Sequence, residues 1–409
     1  MDQDIFVQIA SYRDNELIPT IKDCLNKAKH TDRIRFGICV QHGEELSLSD
    51  KDFLSNLENA KILFIDYKES KGACWARSKT NELYGGEAFT LQIDSHMRFI
   101  QDWDIELINM WKNLDDNKAI LTSYPAEYYP DKEIRDWKHQ PHIIHVYSMK
   151  NGQTEQRPKT PDNWQSRDTP YKGVHVAAGF IFAPGQFILD VPYDPEFYFS
   201  GEETSLAIRS FTNGYNLYHP HKIILWHYYT RKEHAKHWTD HSDWGKLSNK
   251  AHDRLNCLLG RNNKYDLGKY CLGSIRTLEN YQNYSGIDYK RNILHLDTVD
   301  AKEPPVDLSN KERWSYTKKT FKEKISWNYN LIDKCEDPRF WAIIIKDQNN
   351  SELYRKDIVY KEYKDIIDGK ISEIELEFEY YFPFQTPDIA MIWPYSESKQ
   401  WLKNTVWKI

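Results

Sequence analysis

The first hundred residues alternate between two periods, and that alternation restricts the fold more than any other feature. IFVQIAS (5–11) reads as a strand and NELIPTIKDCLNKA (15–28) as an amphipathic helix. RIRFGICVQ (33–41) is a second strand, followed by a short helix in KDFLSNLENA and a third strand in AKILFIDY (60–67). ACWARSKTNELYGG (73–86) is a helix closed by glycines, and AFTLQID (88–94) is a fourth strand. Strands that alternate with helices pair in parallel and are covered by those helices. Ligands of such open sheets bind beyond the carboxyl ends of the strands. Asp94, Ser95 and His96 stand at such an end, where an apolar run stops in a carboxylate and an imidazole.

A helix at 102–114 and the strand AILTSYP follow, then a polar, proline-containing stretch to about residue 172. Such a stretch is a linker or a binding loop over a site. VAAGFIFAPGQFIL (176–189), the helix ETSLAIRSFTNG (203–214) and a strand NLYHPHKIILWHYY (216–229) come next. Residues 297–311 have the proline and charge content of a linker. Beyond them RFWAIIIKD, SELYRKDIV, SEIELEFEYY and DIAMIWPYS alternate like half-buried strands. The domains expected are therefore 1–296, an α/β unit, and 312–409, a small antiparallel β-sandwich, with no contribution from the latter to donor chemistry.

Composition excludes several classes. A net charge of -6 gives no basic excess for nucleic acid, and no apolar run approaches the length of a membrane span. The start MDQDIFVQIASYRD has no basic region ahead of an apolar one, so no secretory signal is expected. The cysteines Cys24, Cys39, Cys74, Cys257, Cys271 and Cys335 are scattered without C-x-x-C pairs, as suits reduced thiols in a cytoplasmic protein. Oligomeric state is not legible in the sequence.

Asp and His two residues apart can converge on one divalent ion where a strand breaks into a turn, and a third ligand must come from elsewhere. HPHKIILWHYYTRKEHAKHWTDH offers His219, His221, His227, His234, His237 and His241. His227 differs because it ends the apolar run IILW; His219 and His221 flank Pro220 at the start of the same segment, where the opposite edge is expected. With no H-E-x-x-H and no paired cysteines, a structural zinc site is disfavoured.

SYRD after the first strand, KGACWARS, DSH, AAGF…YFSGEE and LGSIRTLENYQNYSGIDY together resemble a GT-A glycosyltransferase over roughly residues 1–295. DSH is similar to the D-x-H form of the D-x-D metal motif in polypeptide N-acetylgalactosaminyltransferases. The arrangement looks still more like polypeptide α-N-acetylglucosaminyltransferases, which modify hydroxyproline or threonine. The resemblance implies a Rossmann-like mixed sheet with helices on both faces and a retaining, metal-dependent transfer of GlcNAc from UDP-GlcNAc to a hydroxyl of a protein or glycan. It implies Mn2+ or Mg2+ on Asp94, His96 and His227, the uridine near Ser11, Arg13 and Asp14, and Arg77 and Asp94 at the diphosphate. Gly201-Glu202 corresponds to the pair that meets the donor sugar, with the choice between Glu202 and Glu203 open because this chain has Gly-Glu-Glu. Two other readings stay open: a polysaccharide-building transferase for UDP-GalNAc, UDP-Gal or UDP-Glc, and a non-catalytic carbohydrate-binding protein.

Overall fold

A computed structural model describes residues 3–150, 152–230, 234–309, 313–314, 317–348, 350–382 and 385–409. The chain forms two compact units, Met1–Lys311 and Glu312–Ile409.

In the first unit the strand–helix alternation is realised as β1 (Ile5–Tyr12), α1 (Leu17–Lys27), β2 (Ile34–His42), α2 (Leu48–Ser55), β3 (Ala60–Asp66), α3 (Ala73–Asn81) and β4 (Phe89–Asp94). β1 pairs in parallel with β2 and β4, and β2 with β3. Successive residues of β1 and β4 are buried alike, so both faces of these strands are covered. On one face Ile5, Val7 and Ile9 pack with Leu17, Ile21 and Cys24 of α1. On the other, Gln8 bonds Thr90 and the α3 residues Thr80 and Asn81.

After β4 come β5 (Met97–Phe99), α4 (Trp103–Lys112), β6 (Ala119–Thr122), β7 (Ala126–Glu127), β8 (Ile143–Lys150), β9 (Gln153–Lys159), β10 (Tyr171–Gly173) and β11 (Phe180–Pro184). The unit continues through α5 (Phe187–Asp190), α6 (Glu202–Thr212), β12 (Asn216–His219), β13 (Leu225–His227), α7 (His237–Asp240) and α8 (Trp244–Leu258). It ends with α9 (Leu278–Ser285), β14 (Ile287–Asp288), β15 (Ile293–Leu294) and α10 (Leu296–Val299). The main sheet runs β10-β12-β6-β11-β4-β1-β2-β3, with β11 antiparallel to both β4 and β6. It is a mixed sheet, the GT-A arrangement.

Three expectations change. The single strand over 216–229 is two strands in two sheets: β12 joins the main sheet, whereas β13 pairs with β5 and β7 in a separate small one. Pro220 lies between them, with no N–H to continue a ladder. The long polar stretch contains an antiparallel hairpin, β8 with β9. The linker expected from 297 belongs to the first unit as far as residue 306, because Thr298 and Val306 are buried and the Val306 amide bonds the Tyr284 carbonyl.

The second unit contains β16 (Thr317–Ser326), β17 (Pro338–Asp347), β18 (Glu352–Val359), α11 (Lys364–Ile367), β19 (Glu373–Phe382), β20 (Pro387–Ser396), β21 (Gln400–Trp401) and β22 (Thr405–Lys408). β16 pairs with β19, and β18-β17-β20-β21 form a second sheet, with β22 also on β20. One core joins the two sheets: Ile325, Leu376 and Phe378 pack with Trp341, Ile343, Ile345, Ile358 and Ile392. Sequence pattern alone missed β16, whose run TKKTFKEKIS is diluted by lysines that reach Glu373 and Glu377 across the pair.

Candidate active site

β4 delivers Asp94 opposite Ala10 of β1, and the chain turns at once into β5. Thr20 of α1 holds that turn, its hydroxyl accepting from the Met97 amide at 2.9 Å and donating to the Ser95 carbonyl at 3.0 Å. β13 lies antiparallel to β5 with His227 opposite Met97, which places it beside His96. The His96 and His227 Nε2 atoms are 2.9 Å apart, and His227 Nε2 is 3.2 Å from Asp94 Oδ2. One ligand atom from each of Asp94, His96 and His227 lies within 4.8 Å of the others.

Asp14 sits behind the cluster. Its Oδ2 accepts from the Ser95 hydroxyl and from His96 Nδ1, both at 2.7 Å. A carboxylate there fixes the proton on Nδ1 and leaves Nε2 a bare lone pair. Burial, with the neighbouring His227, pulls the His96 imidazole down to about 4, so it stays neutral. Burial opposes the Asp94 charge, but the hydrogen bond from His227 and the Arg77 guanidinium hold its carboxyl well below the usual range.

Arg77, on α3, is 7 % exposed and grips two carboxylates: Asp94 Oδ1 at 2.8 Å and Glu202 Oε1 at 2.7 Å. It is therefore not a solvent-facing helix residue. The buried Cys74 thiol also donates to Glu202. Glu203 points elsewhere, accepting from the Tyr124 hydroxyl at 2.6 Å and the Ala178 amide at 2.9 Å. Burial pushes its carboxyl up to about 7 against those bonds. Neither acid caps α6, whose first turn follows Gly201 without a side-chain cap.

These groups line one cavity of about 670 Å³, within the range of small-molecule sites. Gly72, Ala73 and Arg77 bring the α3 N-terminus to it. Gly179 lets Asp94 stand close, since a Cβ there would lie 2.7 Å from Oδ2.

Ser11 and Arg13, expected at the uridine, are absent from the lining, which takes Ala10 and Tyr12 from the same strand. Strand parity is the reason: Ser11 faces away from its neighbours, and Arg13 turns out to Glu45 at 3.2 Å and Asp240 at 2.9 Å. Asp14 does line the cavity, but beside His96. Sequence reasoning missed Tyr12, Tyr124, Tyr198 and the 234–238 segment. His237 stacks on His241 at 3.9 Å and bonds the Tyr198 hydroxyl at 2.8 Å. His219 and His221 stay away from the cluster: His219 Nδ1 bonds the Thr122 carbonyl at the end of β6.

The mixed α/β sheet thus places a carboxylate–histidine cluster at the carboxyl end of a central strand, the arrangement expected of a GT-A fold. The family model described as Glycosyltransferase (GlcNAc) matches residues 4–62 and 48–291, and the chain belongs to that family. No curated protein sequence matches it. Among solved structures, GalNAc-T7 with UDP, GalNAc and Mn2+ is similar at a TM-score of 0.47 and 14 % identity, over 68 % of this chain. The match covers 56 % of the GalNAc-T7 chain, so this chain spans little more than half of it. S. aureus TarS 1-349 in complex with UDP-GlcNAc is similar at 0.41 and 10 %, over 76 % of this chain and 78 % of that one. Among the described residues no helix is long and apolar enough to cross a membrane.

Proposed function

We propose that the chain is a cytoplasmic, metal-dependent, retaining N-acetylglucosaminyltransferase that moves GlcNAc from UDP-GlcNAc to a hydroxyl of a protein or glycan. The observation that carries this reading is the convergence of Asp94, His96 and His227 at the floor of the large cavity. The donor set fits Mn2+ or Mg2+: two facing imidazole nitrogens, one kept bare by Asp14, and a carboxylate oxygen. A bound ion would neutralise charge on the diphosphate as UDP departs.

The chain's own residues do the rest. Arg77 adds a fixed positive charge beside the same phosphates, and the α3 N-terminus adds its backbone dipole. Tyr12, Tyr198 and Trp238 supply apolar walls for the uridine and exclude water. Glu202, held by Arg77, accepts from donor-sugar hydroxyls; Glu203, paired with Tyr124, borders the space left for the acceptor. Ser11 and Arg13 act indirectly, through the position of Tyr12.

A donor panel of UDP-GlcNAc, UDP-GalNAc, UDP-Gal and UDP-Glc, with the product linkage read by NMR, tests the assignment. Turnover restricted to UDP-GlcNAc, abolished by EDTA and restored by Mn2+, is expected. Full turnover in EDTA removes the metal from the reading, preference for another donor changes the sugar, and no turnover with metal present supports carbohydrate binding without catalysis.

A further inference from the structure

The two sheets of the second unit share one core but differ in their outward faces. β16 and β19 alternate as a half-solvated pair does: Phe321, Ile325 and Phe378 turn inward, while Lys322 and Lys324 reach Glu377 and Glu373 on the surface. β17 and β20 break that alternation. Trp341, Ile343 and Ile345 fill the core, yet Phe340, Ala342 and Ile344 between them are apolar too. Across the pair these face Tyr395, Trp393 and Met391, which continue the apolar surface on the outward side.

Trp401 stands on this surface. It is opposite Tyr395 in the β20–β21 hairpin and is 38 % exposed. Its ring centroid lies 4.5 Å from that of Trp393, 5.1 Å from that of Tyr395 and 5.5 Å from that of Phe340. The hairpin holds the ring in place. Gln400 takes a left-handed φ of 62° and accepts from the Tyr395 hydroxyl, and the Leu402 carbonyl accepts from the Trp393 indole at 2.8 Å. Asp337 closes the turn, accepting from the Ser396 hydroxyl at 2.7 Å and the Ser398 amide at 2.8 Å. A large aromatic fixed in solvent forgoes burial, and one already ordered loses little freedom when a ligand arrives.

Arg355 and Asp357 of β18 supply polar groups. They pair with Ile344 and Ala342 on the outward side, and their side chains are 37 % and 43 % exposed. Arg355 donates to Asp357 at 2.8 and 3.2 Å, and its guanidinium stands 5.6 Å from the Trp401 ring centre. The pair cancels its own charge, which favours an uncharged ligand. Asp357 takes part of the guanidinium's N–H set; the rest, with the carboxylate's open lone pairs, puts donors and acceptors side by side. Sugar hydroxyls donate and accept, and the C–H face of a pyranose offers the positive hydrogens that the negative face of an indole attracts. A purely apolar partner would desolvate the ion pair and return no bonds to it.

We propose that the outward face of the β18-β17-β20-β21 sheet is a carbohydrate-binding surface for a neutral glycan, which stacks on Trp401 and bonds Arg355 and Asp357. The proposal does not depend on the donor or metal assigned to the first unit.

Saturation-transfer NMR titrations of the full chain, without UDP or metal, test it with triacetylchitotriose, cellotriose, mannotriose and maltotriose. At least one is expected to bind. Trp401→Ala should weaken that binding about tenfold and Arg355→Ala about fivefold, the loss of a stacking contact and of one hydrogen bond. Lys322→Ala, on the outward face of the other sheet, should leave it unchanged. The arginine variant carries the test if Trp401→Ala fails to fold. No binding from the whole panel, binding that both variants keep, or an equal loss in Lys322→Ala overturns the proposal. So does a parent that sediments as a dimer while Trp401→Ala sediments as a monomer, since the face would then hold a second copy of the chain.

Discussion

The two units differ in what they keep from water. The first buries Arg77, His96, His175, Glu202 and His227, each under a tenth exposed; among the described residues of the second, the buried polar side chains are Asp347 and Ser396. Trp341, Ile343, Ile345, Ile358 and Ile392 fill the second unit's core, and its lysine–glutamate pairs lie on the surface, where they add little. A buried polar group costs free energy unless it is partnered, so a unit that keeps many of them has a use for them. The contrast leads us to propose that the chemistry lies in the first unit, while the second packs around its own apolar core.

The strongest way to break that contrast is Asp94→Ala. It should remove metal-dependent UDP binding and lower turnover by about a thousandfold, with the circular dichroism spectrum unchanged, because the side chain ends a strand and opens to the cavity. Parent-like turnover would sink the site. His227→Ala should weaken Mn2+ affinity by about a hundredfold, whereas His219→Ala and His221→Ala should leave it near the parent value, as read by metal titration followed by UDP binding. The reverse ranking would require a new ligand set.

Glu203→Gln sharpens the contrast through stability. Glu203 has its folded pKa raised from 4.5 to about 7, so its buried neutral form favours the fold below pH 4.5 and that advantage fades as pH rises to about 7. The gap corresponds to about 3 kcal/mol. In metal-free melts the glutamine variant should gain on the parent steadily over that window and hold a constant lead above pH 8 or so. A difference that does not change with pH would mean the carboxyl is not held neutral. The smallest effect belongs to the second unit: a chain ending at residue 311 should keep donor hydrolysis within a few-fold of the parent. The cut belongs there and not near 305, because Val306 is buried in the first unit. Loss of donor binding in a folded chain of that length would end the separation of roles.

Much of the first unit is legible in the sequence. Asp94 could be found because an apolar run ends in a charge, and His227 because IILW precedes it. Arg77 could be named but not judged, since a short helix pattern does not reveal that both Asp94 and Glu202 will surround it. Ser11 and Arg13 fall outside the cavity lining because adjacent residues of a strand face opposite ways, and the motif SYRD carries no mark of which way is inward. The strand β16 stayed hidden because its inward positions, Phe321 and Ile325, are too few to show a period among lysines.

The sequence by itself determined the α/β alternation, the carboxylate at the end of β4 and the change of period that begins the second unit. Only the tertiary structure decided that His227 meets His96 across 131 positions of chain, that Asp14 holds the imidazole, and that Glu202 and Glu203 divide between Arg77 and Tyr124. The physical reason is that periodicity reports which faces of an element are dry, which is local. The partner of each edge and its register are set by long-range pairing, where a shift of one residue turns a side chain to the opposite face.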